Sequence, residues 1–504
     1  MAPFERLTPE ESRLYAGRVR LWGSACVVFA GALLLGLAAF SPNRPRDYAG
    51  DADQFFYGSI GSDISAGLPV AVLQVLPRVF PDYLPPGAAR HDYTAFGFIQ
   101  QAGHPLPIGF SVRRQVVDLA SINCAACHTG SVRVSEHAPA LVIPGMPANT
   151  VDLLAYYRFL FRAAADDDRF NADTLVAAMR QAGLIGALET PIYRLAIPMM
   201  KDGLLSLERR LSFVQDPGYT PFGPGRVDTF DTFKFNQFHY FYKEHGQPIG
   251  PEETFGIVDF PSIWNQAARD GLRLHWDGNN SSLHERNLSA SLGAGAQPQD
   301  VDLRRLQRIE DYLRHLPAPR WPFPVDAAKA ARGKLVYERY CADCHELGGS
   351  RMGQVIPLDS IGTDRSRLDS YTQFLLRAQQ DYTSHVPWTF SHFTKTDGYA
   401  NQPLDGIWAR APYLHNGSVP SMWDLLTPES ARPRDFTVGD DVYDPATMGF
   451  RHQVVNDPAS YTGPWPVRNT TLRGNGNRGH SGAPFGTELS ADDKWALIEY
   501  LKTK

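Results

Sequence analysis

Residues 124–128 read Cys124-Ala125-Ala126-Cys127-His128, and residues 341–345 repeat the pattern as Cys341-Ala342-Asp343-Cys344-His345. The chain has five Cys and 15 His, and the one cysteine outside these two copies is Cys26. On a helical turn the i, i+3, i+4 spacing brings both thiols and the imidazole to one side. There the thiols can bond the two vinyl carbons of a haem and the histidine can ligate its iron. A disulfide, a thioredoxin-like pair and a zinc site compete for the same residues. Zinc calls for four convergent ligands, and a redox pair does not call for histidine next to the second cysteine in both copies. The reading is two covalently attached c-type haems, with Cys124, Cys127, His128, Cys341, Cys344 and His345 holding the cofactors and His128 and His345 on iron. Covalent attachment lets a small, loop-rich unit use its cofactor as part of the core.

Outward from the second copy the local signals agree. Pro317-Ala-Pro-Arg-Trp-Pro-Phe-Pro324 is a stiff Pro-rich linker, and Asp326 is a good N-cap for a helix running into Cys341. Before the linker, Leu303, Leu306, Ile309, Leu313 and Leu316 recur at helical spacing. Near the C-terminus, Ser490 and Asp493 form a capping box ahead of Trp495, Ile498 and Leu501. Few alternating strand patterns of any length appear, so the expected fold is mainly α: two cytochrome-c-like haem domains with long loops, preceded by one N-terminal transmembrane helix. The expected divisions are a tail at 1–20, an anchor at 21–40, a first haem domain with a long insertion at 41–318 and a second haem domain at 319–504.

The N-terminal expectation rests on residues 21–40, which carry no charged side chain and suffice to span a bilayer as a helix. Arg6, Arg13, Arg18 and Arg20 precede the run, which places the N-terminus in the cytoplasm and the remainder outside. A cleaved signal peptide and a buried core helix are the alternatives. The expectation is thus a bacterial inner-membrane, single-pass protein with periplasmic haem domains. Composition excludes other classes. The 504 residues are 43% hydrophobic and 20% charged, as a globular protein requires, and 49 Lys+Arg against 54 Asp+Glu leave a net charge of -5 without a long basic run. Nucleic acid is not an expected partner.

The order of several segments is similar to that of the bacterial di-haem cytochrome c peroxidases and their relatives, which include the enzyme that matures methylamine dehydrogenase and the rubber oxygenases. The segments are DFPSIWNQAARDGLRLHWDGNNSSLHERNLSASLG at 259–293, CADCH at 341–345, ARAPYLHNGSVPSMWDLL at 409–426 and the final LIEYLKTK. GPGRVDTFDTFK at 223–234, LHWDGNN and GNGNRGHSGAPFGTEL at 474–489 resemble the rubber-oxygenase branch in particular. The resemblance runs from about residue 95 to the end. It implies that Trp276 lies between the haems and relays electrons, where a core aromatic is the plainer role. It implies that His415 sits near the second haem without ligating it. Peroxidases place a Met ligand where this chain has Glu429 preceded by Pro428. The rubber-oxygenase-like branch instead uses a C-terminal histidine, and His480 matches it. Met352, Met422 and Met448 are other thioether candidates, although most methionines pack cores.

The first haem is harder to read, because the stretch between His128 and Trp276 is much longer than in the compact peroxidases. His275 is a candidate for the sixth position or for a pocket role, with His104 and His137 behind it. The expected function is electron transfer through the second haem to a first haem that carries peroxidase- or oxygenase-type chemistry, with Trp276 and His275 at the reacting site. The alternative is a purely electron-carrying cytochrome with both irons six-coordinate. Expected partners are a redox protein or quinone-linked chain, a small oxidant such as peroxide or dioxygen, and the inner membrane. A calcium ion occurs in some relatives, but no oxygen-ligand motif locates one here.

Overall fold

The computed structural model describes residues 43–88 and 90–504. The expected membrane run at 21–40 lies outside these residues. Among the described residues no helix is long and apolar enough to cross a membrane, so the expectation of a single-pass inner-membrane protein with periplasmic haem domains is corrected. The mainly α expectation is corrected as well, since helix makes up 42% and strand 11%. Strands escaped the sequence reading because they are short and do not alternate: Thr129–Val132 is buried at all four positions, and several pairs are two residues long. A period of two needs a longer, half-exposed strand to be visible.

Eight helices carry most of the frame. α1 (Val70–Val79), α2 (Leu153–Ala165), α3 (Ala172–Gln181) and α4 (Thr190–Arg210) come from the first part of the chain and its long insertion. α5 (Leu283–Gly293) and α6 (Leu303–His315) follow, and α7 (Ala327–Tyr340) and α8 (Ala491–Leu501) frame the second motif. A four-stranded antiparallel sheet of β1 (Arg44–Pro45), β2 (Leu68–Pro69), β3 (Phe110–Arg114) and β4 (Leu119–Ile122) runs in the order β1-β3-β4-β2. It feeds directly into the first motif.

Capping starts the helices where the sequence suggests. Asp326 accepts from the N–H groups of Ala328 and Lys329 to open α7, and Ser490 accepts from Asp493 N–H to open α8. α7 and α8 cross closely at Gly333, where a Cβ would lie 1.8 Å from the Ala496 carbonyl oxygen. In α6, Leu306, Ile309 and Leu313 are buried as their spacing predicts, whereas Leu303, expected on the same stripe, is exposed at the first turn. The Pro-rich linker is pinned by aromatics: Trp321 meets Trp408 edge-on at 5.6 Å, and Trp408 Nε1–H donates to the Pro319 carbonyl at 2.9 Å.

Three apolar clusters form the interior. One joins α1 to α2, α3 and α4. A second joins Phe55, Phe230 and Phe241 to α5 and α6 and also takes in Tyr371, Leu375 and Phe393. The third packs α7 and α8 with Trp408, Tyr413 and Met422, and includes Val132, Ile143, Met146 and Trp264 from the first part of the chain.

Candidate functional site

The first motif sits on a single turn, Cys124–Cys127. Asn123 fixes its start: the side-chain oxygen accepts from Ala125 N–H at 2.9 Å and the amide donates to the Gly58 carbonyl at 2.9 Å. Both thiols are free, and burial pushes them up to about 11 for Cys124 and about 12 for Cys127. His128 Nδ1 lies 2.8 Å from the Pro261 carbonyl oxygen. A carbonyl can only accept, so Nδ1 carries the proton and Nε2 keeps a free lone pair, the arrangement in which histidine ligates metal. Burial holds the ring neutral by lowering it to about 4.

His128, Cys124 and Cys127 line a cavity of ≈ 800 Å³ that is also walled by His275, Trp276 and Arg286. The insertion supplies much of the apolar lining through Leu153, Leu154 and Leu160 of α2 and Met200 and Leu204 of α4. His275 has the left-handed φ of 64°, Nδ1 2.6 Å from Asn279 Oδ1, and a ring lowered to about 4 by burial. Trp276 Nε1–H donates to the Asp259 carbonyl at 2.9 Å. His104 is not in this wall but stacks on Tyr57 at 3.9 Å, and His137 is exposed on a loop.

The second motif begins where α7 ends. Cys341 and Cys344 are free, raised by burial, Cys341 to about 12. His345 Nδ1 lies 2.8 Å from the Gln402 carbonyl oxygen, so its Nε2 is again unprotonated and burial lowers the ring. Facing it is His480, with ring centroids 6.4 Å apart. His480 has a φ of 48°, which bulkier residues rarely adopt, and its Nδ1 is buried without a hydrogen-bond partner. Burial, reinforced by His345, lowers its ring to about 3.

The loop that carries His480 is held from outside. Arg432 Nη1 donates to the carbonyls of Asn477 at 2.7 Å and Gly479 at 2.8 Å, and Nη2 donates to the His480 carbonyl at 3.1 Å. Glu429, at the position where the peroxidases carry Met, accepts from Gly479 N–H at 2.9 Å. Met422 and Met448 are core residues beside Tyr413 and Tyr443.

His415 is buried against Tyr399, with Nε2 3.1 Å from its hydroxyl, and burial lowers the ring to about 4. The Asp259 N–H donates to the His415 carbonyl at 2.8 Å while the Asp259 carbonyl receives Trp276. The backbone of one residue, Asp259, therefore ties Trp276 to His415. Gln402 makes a second tie, because its carbonyl holds His345, its side chain donates to the Arg273 carbonyl at 2.7 Å, and the residue lines the cavity that His128 also lines. Sequence reasoning missed Gln402, Asp259, Arg432 and Arg286. Gln402 and Arg432 lie outside the quoted segments, Asp259 and Arg286 lie inside the 259–293 segment without being singled out, and each acts through tertiary contacts. Among the described residues no group of three or more His, Cys, Asp or Glu gathers as a metal site, and nothing locates a calcium ion.

These features define the class. The family described as RoxA-like, cytochrome c-like, matches residues 398–437, the segment holding Tyr399, Gln402 and His415, and a domain of this kind implies c-type haem. The chain is 34% identical over 306 residues to the uncharacterized protein y4iM of Sinorhizobium fredii (strain NBRC 101917 / NGR234), covering 52% of this chain and 68% of that one, and it belongs to the same family. It is also 26% identical over 535 residues to the uncharacterized protein y4iJ of the same strain, covering 83% of this chain and 85% of that one.

The residues fit such a group. Two metal–imidazole bonds of about 2 Å each, with the two ring radii, come to roughly 6 Å, so an iron fits between His345 and His480. Before His128 the cavity is within the size range of cofactor sites, about 300–1,000 Å³.

Proposed function

We propose that the chain is a di-haem c-type oxidoreductase, with one haem attached at Cys124 and Cys127 and held by His128, and the other attached at Cys341 and Cys344 and held by His345 and His480. The two parts are 41–318 and 319–504. The observation that carries this reading is the contrast between the motifs: His345 faces a second histidine at 6.4 Å, whereas His128 faces a cavity of ≈ 800 Å³. Haem iron, when bound, supplies one-electron exchange where both axial positions are filled and oxygen or peroxide chemistry where one is open.

The protein's residues supply the rest. His345 and His480 enclose the second position, and the Arg432 and Glu429 bonds keep His480 in line. The apolar walls from α2 and α4 exclude water around the first. Trp276, hydrogen-bonded to Asp259, stands at the cavity wall on the side of His415 and serves as the relay. Electrons come from a redox protein or a quinone-linked chain, and the oxidant is peroxide or dioxygen.

Haemochrome stoichiometry, ferric EPR and CO binding after reduction test the reading. Two haems per chain are expected, with one high-spin iron that binds CO beside one low-spin iron. Two low-spin irons that ignore CO would overturn it in favour of a pure electron carrier. That second reading draws support from His275, an imidazole in the same cavity wall as His128.

A further inference from the structure

Among the arginines in the cavity wall, three have carboxylate partners. Arg269 Nη2 is 2.5 Å from Asp405 Oδ1, Arg410 Nη2 is 3.1 Å from the same oxygen, and Arg367 Nη2 is 3.3 Å from Asp277 Oδ1. Arg286 differs. Among the described residues no carboxylate lies within ion-pair distance of it, and its one side-chain acceptor is Asn287 Oδ1, 3.3 Å from Nη2. The acidic wall residue whose charge acts on it, Glu310, already accepts from His284 Nδ1 and Asn287 Nδ2, each at 3.2 Å.

Arg286 is held in this position by α5, whose start is fixed by Ser282 accepting from Glu285 N–H. Burial, with Arg269 adding to it and Glu310 opposing it, lowers the guanidinium to about 10, so it stays charged at neutral pH. It lines the same cavity as Cys124, His128 and His275, and its charge acts on all three. A part-buried cation whose one nearby carboxylate, Glu310, makes no ion pair with it has guanidinium donors left for a ligand, and its planar fork matches a carboxylate.

We propose that Arg286 forms an anion-binding site in the cavity wall and takes a carboxylate. The carboxylate is either a free one entering the cavity or one carried by the haem, and this inference rests on the haem reading given above.

Formate titration of the full haem-loaded chain, followed by Soret absorbance, separates the two sources when run on wild type, Arg286→Gln and Arg286→Lys. For a free carboxylate, the formate Kd rises about tenfold in Arg286→Gln and recovers in part in Arg286→Lys, the scale of one charge-assisted contact. For the haem's own carboxylate, formate has no effect on any variant, but the propionate bending mode in the resonance Raman spectrum shifts in Arg286→Gln. If that variant carries two haems and neither readout changes, the inference is overturned. If wild type carries no haem at the first motif, the haem reading itself has failed. The site is then judged by thermal stabilisation of the haem-free chain with formate: a Tm rise lost in Arg286→Gln supports it, and no rise in wild type overturns it.

Discussion

Glu285, next to Arg286, shows how single residues position the cavity wall. Its carboxylate accepts from Ser391 N–H at 2.8 Å, His392 N–H at 2.9 Å and His392 Nδ1 at 2.7 Å, tying α5 to the loop after Trp388. Burial raises the carboxyl, but the bonds from His392 and Ser391 outweigh it and hold it below its ordinary 4.5. A folded pKa below the unfolded one gives stability that is present above about pH 4.5 and lost as pH falls through the folded value. In denaturant titrations Glu285→Gln should therefore be less stable than wild type at pH 7, with the gap closing toward pH 3. A gap that is constant with pH would show that the ionised form is not what stabilises the contact. Arg432 acts similarly on His480. Replacing it with Met leaves several carbonyls of one loop without their donor, which should cost about 1–3 kcal/mol and weaken the low-spin EPR signal of the second haem although every ligand remains. An unchanged signal would mean that the loop holds its shape without the guanidinium.

At the scale of elements, the α7–α8 crossing is the contact on which the second motif depends, since Cys341 follows α7 directly. Gly333→Ala forces a methyl into the Ala496 carbonyl and should cost about 1–3 kcal/mol, read as a lower Tm. A Tm equal to wild type would show that the helices can slide apart at no cost. These helices were legible in the sequence because their caps and stripes are local: Asp326, Ser490 and the Leu306, Ile309, Leu313 face all behave as their spacing indicates. The strands were not, because Thr129–Val132 and its partner Leu141–Pro144 owe their pairing to position beside His128 and not to any alternation. The His345–His480 juxtaposition was suggested by resemblance, and spacing alone would not have found it. Arg286 and Gln402 gave no signal, since what singles them out is a missing partner in one case and a shared one in the other.

Across the whole molecule the two motifs communicate through few atoms. Trp276 hangs from the Asp259 carbonyl, and the N–H of the same residue binds His415. Trp276→Phe keeps an aromatic ring but removes that hydrogen bond. The expected outcome is that each iron keeps its EPR signature while flash-induced electron transfer between the centres slows about tenfold, a loss of about 1.4 kcal/mol in the barrier. Equal rates would exclude Trp276 as the relay. Gln402 reaches further, because its carbonyl restrains His345 and the residue lines the cavity that His128 also lines. On the proposed di-haem reading, a molecule in the cavity that shifts Gln402 would alter the basicity of His345, and reciprocity would make the redox state at His345 alter how tightly that molecule is held. The cavity should thus have two affinities, one for each oxidation state of the distant centre, and an engineer who retunes either centre will find the other detuned by the same free energy.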